Sequence, residues 1–204
     1  MNILLSILWV IIGYFFGSIP FALVIGKVFY NKDIREHGSG NLGGSNAGRV
    51  LGPLAGASVI LLDALKAFIV MTLCNKYAPN AIIFAGLATC IVHCYPFFAN
   101  FKGGKAVATS FGFLLALGIY VTKDVIFAFV FPVLMFLIVL GLTKIVSISS
   151  MTSMLFEAIV GFLTYKNNVA AFSVLFLALF IIFRHIPNIK RIINKKETKV
   201  RFLS

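Results

Sequence analysis

The chain has 204 residues, of which 60% are hydrophobic and 12% charged, and its mean hydropathy is +1.02. Soluble domains carry about one quarter charged residues, so this composition excludes an ordinary soluble domain and indicates an integral membrane protein. The net charge of +12 does not indicate a nucleic-acid partner, because most aromatic residues are Phe in apolar runs rather than stacking residues between basic ones.

Apolar runs long enough to span a membrane follow one another along the chain. They occupy residues 3–25, 51–73, 80–100, 105–122, 125–142, 151–165 and 169–186. A helix needs about 20 residues to cross a bilayer, so we predict an all-α, polytopic membrane protein with about seven transmembrane helices in one domain, 1–204. The sixth run is short and contains Glu157, and the turn at Lys123 and Asp124 is tight, which leaves five or six spans as alternatives.

Basic residues indicate how the spans are oriented. With seven spans, the connections after the first, third, fifth and seventh hold fourteen of the eighteen Lys and Arg, against Lys76, Lys123 and Lys166 on the other side. By the positive-inside rule, the N-terminus is outside and the C-terminus cytoplasmic. The basic tail, 187–204, is predicted to be a cytoplasmic anchor on anionic headgroups. The first run is predicted to be a span rather than a removed signal peptide.

A glycine-rich polar segment, residues 38–49, follows the first span on the predicted cytoplasmic side. Its five glycines permit backbone turns that point successive N–H groups at an anion. The donors suited to phosphate oxygens are Ser39, Asn41, Ser45, Asn46 and Arg49. The segment is therefore predicted to bind phosphate, with a flexible loop as the alternative.

A second glycine-rich turn follows the third span. Lys102, Gly103, Gly104 and Lys105 lead into the N-terminus of the fourth span, where free N–H groups and the helix dipole attract anions. This turn is also predicted to bind phosphate. It lacks the spacing of a nucleotide-binding P-loop, so nucleotide hydrolysis is not indicated.

Further polar residues follow spans five and seven. Ser147 and Ser149 lead into the sixth span, and His185 and Asn188 follow the seventh. They add hydroxyl, imidazole and amide groups to the same predicted side. Two alternatives remain open: the serines could cap a helix, and His185 could be an interfacial residue.

Two groups of polar residues lie within the predicted spans. Asp63 and Lys66 are three residues apart, so they share a helix face and can form an ion pair, which either binds substrate or ties the bundle together. Cys90, His93 and Cys94 lack a fourth ligand, so no metal site and no cofactor are predicted. The three cysteines lie in or beside apolar runs, which indicates buried thiols rather than disulfides.

Together these segments resemble the bacterial acyl-phosphate:glycerol-3-phosphate acyltransferase family, whose members are small integral-membrane enzymes with three cytoplasmic motifs. The first motif is similar to residues 38–49, the second to 93–97 with 101–109, and the third to Arg184, His185 and Asn188. The segment 61–66, which includes Asp63 and Lys66, is similar to the family's second span. The resemblance covers essentially the whole chain.

The resemblance implies a fold, a reaction and partners. It implies a seven-helix bundle in the bacterial inner membrane, with an active site facing the cytoplasm. The enzyme would transfer a fatty acyl group from acyl phosphate to glycerol 3-phosphate, giving lysophosphatidic acid and inorganic phosphate, the first acylation of phospholipid synthesis. It also implies a separate enzyme that supplies the acyl phosphate.

The resemblance also assigns roles to residues. The acceptor's phosphate would be bound by Ser39, Arg49, Lys105 (or Lys102), His185 and Asn188. The donor's phosphate would be held by Gly103 and Gly104 with Asn41, Ser45 and Asn46. His93, Ser147 and Ser149 are further expected substrate-binding residues, and Asp63 and Lys66 expected supporting residues.

Two departures from the family pattern are visible. Ala106 stands where the second motif usually continues with Gly, and Pro187 precedes the Asn of the third motif. Either could alter local backbone geometry, but neither removes a polar group.

Some features distinguish this chain from other acyltransferases and from other classes of membrane protein. Acyltransferases that use thioester donors often have His followed five positions later by Asp, and no His of this chain has that partner. A transporter of phosphate or an organic anion is the main alternative, but transporter sites lie near mid-bilayer between repeated halves. A metal-dependent alcohol phosphotransferase is disfavoured because the six Asp and Glu are mostly scattered.

Overall fold

The computed structural model describes residues 3–200, and every regular element in that range is helical. Ten α-helices are α1 (Ile3–Gly17), α2 (Phe21–Tyr30), α3 (Gly44–Leu51), α4 (Pro53–Tyr77), α5 (Ile82–Cys94), α6 (Val107–Leu117), α7 (Phe131–Thr143), α8 (Val146–Thr164), α9 (Asn168–Arg184) and α10 (Ile186–Ile193). The predicted all-α class is confirmed. The chain forms two compact units, one up to Ala116 and one from Leu117 onward.

The first unit is held together by small residues at helix crossings. A Cβ placed on Gly13 of α1 would lie 2.6 Å from the Ala85 carbonyl oxygen of α5, and one on Gly17 would lie 2.8 Å from the Thr89 carbonyl oxygen. Without water to drive apolar association, membrane helices pack through such close backbone contacts. A three-residue break that ends in Pro20 separates α1 from α2.

The short helix α3 is pressed against α4 in the same way. A Cβ on Gly56 of α4 would lie 2.6 Å from the Cα of Gly48 in α3. Gly52, with φ of +106°, allows the sharp turn between the two helices because it has no Cβ. The backbone of the first motif therefore packs directly against α4.

The second unit consists of α7 to α10 and two π-helical segments, Gly118–Thr122 and Ile126–Val130. Helix α8 packs against both α7 and α9. Ser153 of α8 donates to the Pro132 carbonyl at 2.7 Å. Glu157, the acid that weakened the sixth predicted span, is fully buried and accepts a hydrogen bond from the Tyr165 hydroxyl. Its polar group is therefore kept away from lipid.

The helices differ in length from the predicted spans. Five segments are long and apolar enough to cross a membrane, and the bent pair α9 and α10, with a 56° angle, is a sixth candidate. The segment Val107–Thr122 is a shorter apolar helix. Helix α8 begins at Val146, five residues before the predicted run, because Ser147 to Ser150 continue the helix. The count of seven spans stays a prediction.

Candidate active site

The first motif forms a closed loop around the side chain of Asn46. Its Oδ1 accepts from the Ser39 N–H at 2.8 Å, and its Nδ2 donates to the carbonyls of Ile34 and His37 at 3.1 and 3.2 Å. A Cβ on Gly38, whose φ is +62°, would lie 2.3 Å from that Oδ1. Asn46 is 2% exposed, so its amide holds the loop in shape.

The other polar side chains of this motif lie at the surface of the first unit. Ser39, Ser45 and Arg49 are exposed. Ser45 and Arg49 are four residues apart on α3 and so share one face of that helix. Asn41 is half-buried, and its Nδ2 lies 3.5 Å from the Gly103 carbonyl oxygen. The first motif therefore meets the second-motif turn.

The second motif is a tight turn folded back on the end of α5. The Gly103 N–H donates to the Cys94 carbonyl at 3.1 Å, and the Gly104 N–H donates to the His93 carbonyl at 3.0 Å. These two N–H groups therefore close the turn rather than point at an anion. Lys102 is exposed and Lys105 is half-buried.

Ala106, the residue that replaces the usual glycine, adopts φ of +60° immediately before α6. This is the left-handed region, where a Cβ costs about 1–2 kcal/mol. The backbone conformation that the family's glycine favours is thus kept in spite of the substitution. Asn100 and Phe101, on the other side of the turn, also have positive φ.

The charged pair of α4 is present and buried. Lys66 Nζ lies 2.8 Å from Asp63 Oδ1, and the two side chains are 1% and 2% exposed. The ammonium also donates to the carbonyls of Gly17 and Ile19, in and just after the end of α1, at 3.3 and 2.8 Å. The ion pair therefore ties α4 to the break between α1 and α2, whatever part it has in substrate binding.

In the second unit, Asn188 of the third motif, Ser147 and Arg191 surround Glu197, a residue that the sequence did not point to. The carboxylate of Glu197 accepts from Ser147 Oγ at 2.8 Å and Asn188 Nδ2 at 2.5 Å through Oε1, and from Arg191 Nε at 2.7 Å through Oε2. The signal in the sequence was a single acid among six basic residues of the tail. The Val200 N–H donates to the Lys144 carbonyl at 2.8 Å and fixes the tail nearby.

Electrostatics at Glu197 favour the charged form. Burial raises the pKa of the Glu197 carboxyl, but the hydrogen bonds from Asn188, Arg191 and Ser147 outweigh it and hold that pKa below its ordinary value. Three donors around one carboxylate form a site suited to an oxyanion. The tail acid occupies that place in this structure.

His185 and Ser149 lie close to this cluster in sequence but face other partners. His185 is 3% exposed, and its Nδ1 lies 2.8 Å from the Ile181 carbonyl, so Nδ1 carries a proton. Ser149 is buried and donates to the Ile145 carbonyl at 3.0 Å. The residue that caps α8 is Ile145, so the serines do not act as the helix cap considered above.

The bend at His185 accommodates Pro187. This residue lies in the first turn of α10, where a backbone N–H would lack a helical acceptor in any case. The departure from the family pattern therefore leaves the helix intact. Asn188, in the same turn, is 5% exposed.

Within residues 3–200, no three His, Cys, Asp or Glu side chains are grouped so as to hold a metal ion. The predicted site residues fall in both units. Ser39, Asn41, Ser45, Asn46, Arg49, His93 and 102–105 belong to the first, and Ser147, Ser149, His185 and Asn188 to the second. Each set is assembled by contacts inside its own unit.

Known proteins are similar to this sequence over nearly its whole length. The profile of the glycerol-3-phosphate acyltransferase family matches residues 7–195. The glycerol-3-phosphate acyltransferase of Geobacillus kaustophilus is 42% identical over 199 residues, 97% of this chain and 98% of the relative. That of Bacillus subtilis is 43% identical over 201 residues, 98% of this chain and 100% of the relative.

Solved structures agree in fold. A crystal structure of PlsY, described as an integral membrane glycerol 3-phosphate acyltransferase in its glycerol 3-phosphate form, superposes with a TM-score of 0.88 at 33% identity, covering 97% of this chain and 96% of that one. The lysophosphatidic acid form gives 0.84 at 32% identity, covering 95% and 94%. The motifs, the helical fold and the full-length match agree, and the chain belongs to the glycerol-3-phosphate acyltransferase family.

Proposed function

We propose that this glycerol-3-phosphate acyltransferase takes its acyl group from acyl phosphate and works at the cytoplasmic face of the bacterial inner membrane. The C1 hydroxyl oxygen of glycerol 3-phosphate would attack the acyl carbonyl carbon. A new C–O ester bond would form, the bond to phosphate would break, and the departing phosphate would take the hydroxyl proton. The products would be lysophosphatidic acid and inorganic phosphate.

The observation that carries this proposal is the contact between the first two motifs. Asn41 Nδ2 lies 3.5 Å from the Gly103 carbonyl oxygen, so the donors of α3 and the lysines of the second turn lie near one another in the first unit. Arg49 and Lys105 supply positive charge there, neither motif contains a carboxylate, and the one thiol, Cys94 of the second motif, is fully buried. Such an arrangement can bind and orient two phosphorylated substrates, which is what transfer from an activated donor requires.

The residue roles follow from exposure and charge. The exposed guanidinium of Arg49 suits bidentate binding of the acceptor's phosphate, with Ser39 as a further donor. Lys105 would add charge from the second turn. Ser45 and Asn41 would bind the donor's phosphate, while Asn46 supports them through the loop.

The cytoplasmic assignment is supported by the basic residues. Fourteen of the eighteen Lys and Arg fall on the side that carries all three motifs when seven spans are counted. Both substrates are anionic, and acyl phosphate also has a fatty chain, so an interfacial site suits both. Supply of acyl phosphate by a separate enzyme belongs to the same proposal.

A donor comparison tests the reaction. Purified protein in detergent or liposomes would be given labelled glycerol 3-phosphate with acyl phosphate, acyl-CoA or acyl carrier protein. We expect lysophosphatidic acid from acyl phosphate and equimolar inorganic phosphate. Product from a thioester donor alone would overturn the proposed donor. Uptake of glycerol 3-phosphate into sealed liposomes without acylation would instead favour the transporter that we considered from the sequence.

A further inference from the structure

His93 lies between the buried charge pair of α4 and the second-motif turn, and it touches both. Its Nδ1 is 3.2 Å from Lys66 Nζ, and the side chain is 5% exposed. On the other edge of the ring, a Cβ added to Gly104 would lie 2.2 Å from Nε2. Only a glycine at position 104 lets the turn approach this edge of the imidazole.

The contact with Lys66 decides which ring nitrogen carries the proton. The three N–H groups of the Lys66 ammonium are shared among Asp63, the carbonyls of Gly17 and Ile19, and Nδ1. The ammonium has no acceptor, so the Nδ1 that faces it carries a lone pair rather than a proton. The competing arrangement, in which Nδ1–H donates to Asp63 Oδ1, has a distance of 3.5 Å, beyond the usual range. The proton of neutral His93 is therefore on Nε2, the nitrogen that faces the turn.

The backbone of His93 supports the same turn. Its carbonyl accepts the Gly104 N–H at 3.0 Å, so both the main chain and the ring of this residue contact Gly104. The next residue is Lys105. A displacement of the ring would therefore move the turn that carries this lysine.

We propose that Lys66 and His93 are positioning residues of the acyl transfer: Lys66, balanced by Asp63, fixes the Nε2–H tautomer of His93, whose ring holds the Gly103–Gly104 turn in its productive shape. His93 then acts through the turn rather than by direct contact with substrate. The inference rests on the proposed function in one respect, namely that this turn takes part in binding the phosphates of the substrates.

Substitution of His93 by Gln or by Asn distinguishes the roles of the two ring nitrogens. In His93→Gln the side-chain amide reaches the place of Nε2, and its N–H can replace the imidazole donor. In His93→Asn the amide reaches only the place of Nδ1. We expect His93→Gln to keep most of the wild-type kcat. His93→Asn should lower kcat about 10–100-fold, the loss typical when a residue that orients the groups of a site is replaced.

If His93→Asn and His93→Gln had equal kcat per folded enzyme, the proposed positioning role would be wrong.

The role of Lys66 is tested with Asp63→Asn/Lys66→Met, which removes both charges so that neither is left buried and unpaired. Lys76→Met, at the exposed end of the same helix, is the matched control. We expect the double variant to lower kcat per folded enzyme at least tenfold, and the control to leave it unchanged. A merely structural ion pair would lower yield or melting temperature but leave kcat per folded molecule intact.

Histidine ¹⁵N NMR reads the tautomer without any assay of activity. The chain has three histidines, so His93→Gln identifies the His93 signals by their disappearance. We expect the Nε2–H form in the wild type and a mixture of tautomers in the double variant. An Nδ1–H form in the wild type would overturn the inference even if acyl phosphate were confirmed as donor. Conversely, failure of the donor assay would leave the NMR result standing. If the double variant does not fold, the Gln and Asn pair decides the proposal.

Discussion

Glu197→Gln is the substitution whose effect the structure defines most fully. The glutamine oxygen can still accept from Ser147 and Asn188, but an amide N–H then faces Arg191 Nε, where Oε2 now accepts at 2.7 Å. The variant therefore loses the negative charge and one charge-assisted hydrogen bond, and it brings two donors together. We expect lower stability and a looser Asn188.

The magnitude follows from the kind of bond that is lost. A hydrogen bond to a charged group contributes about 1.5–3 kcal/mol. The Glu197 side chain is 9% exposed, so water replaces that bond poorly. For a chain of this size each 1 kcal/mol shifts the melting temperature by about 2–4 °C, which gives a fall of about 3–12 °C.

Circular dichroism of the helical signal is the suitable assay. The single Trp and the three cysteines all lie in the first unit, whereas Glu197 lies in the second. Tryptophan fluorescence and thiol-reactive dyes would therefore not report on the unit that the substitution changes. Glu36→Gln is the matched control, because that acid is exposed. The Michaelis constant for glycerol 3-phosphate should rise in Glu197→Gln, since Asn188, an expected acceptor-binding residue, then donates to an uncharged oxygen and is held less firmly.

The pH dependence has a definite sign. The pKa of Glu197 is lower in the folded protein than its ordinary value of 4.5, so its stabilisation is fully present above that value and is lost as pH falls through the folded-state pKa. Glu197→Gln should therefore flatten the acid limb of the stability profile. A variant that matched the wild type in melting temperature, acid limb and acceptor affinity would refute this reasoning.

Three further outcomes are expected. Arg49→Ala should lower kcat/KM for glycerol 3-phosphate about 10- to 150-fold, as the loss of about 1.5–3 kcal/mol requires, and Arg49→Lys should recover only part of it; unchanged kinetics would remove Arg49 from the site. Cysteines placed at Asn41 and Lys102 should be labelled from the cytoplasm and one at Lys76 from outside; labelling of Asn41 from outside would reverse the topology. Chelator should leave activity unchanged, whereas loss restored by a divalent metal would reveal an unrecognised metal site.

Much of the fold could be predicted from the sequence because hydrophobic length determines membrane helices almost by itself. The helix α4 and the run 51–73 coincide closely, and Asp63 and Lys66 pair as their spacing predicts. Boundaries were less predictable. Helix α8 starts at Val146 because the hydroxyls of Ser149 and Ser150 donate to carbonyls four residues earlier in the chain. A hydropathy profile gives no sign of these hydrogen bonds.

The site could be predicted as a set of motifs, but the partners of individual residues could not. Asn46 was expected to bind substrate, yet its amide is used in closing the loop. Glu197 was not expected at all, although it collects three donors. Both results depend on how the chain turns back on itself: the partners of Asn46 lie 7 to 12 residues before it, and Ser147 lies 50 residues before Glu197. A pattern along the sequence does not give these turns.

The sequence by itself determined the helical membrane class, the family and the identity of the three motifs, because hydrophobic run length and short glycine-rich segments are local properties. Only the tertiary structure decided that the Gly104 N–H is used by the His93 carbonyl, and that the His93 ring joins the turn to Lys66. The physical reason is that a buried polar group must find a partner, and which partner it finds depends on how the helices pack.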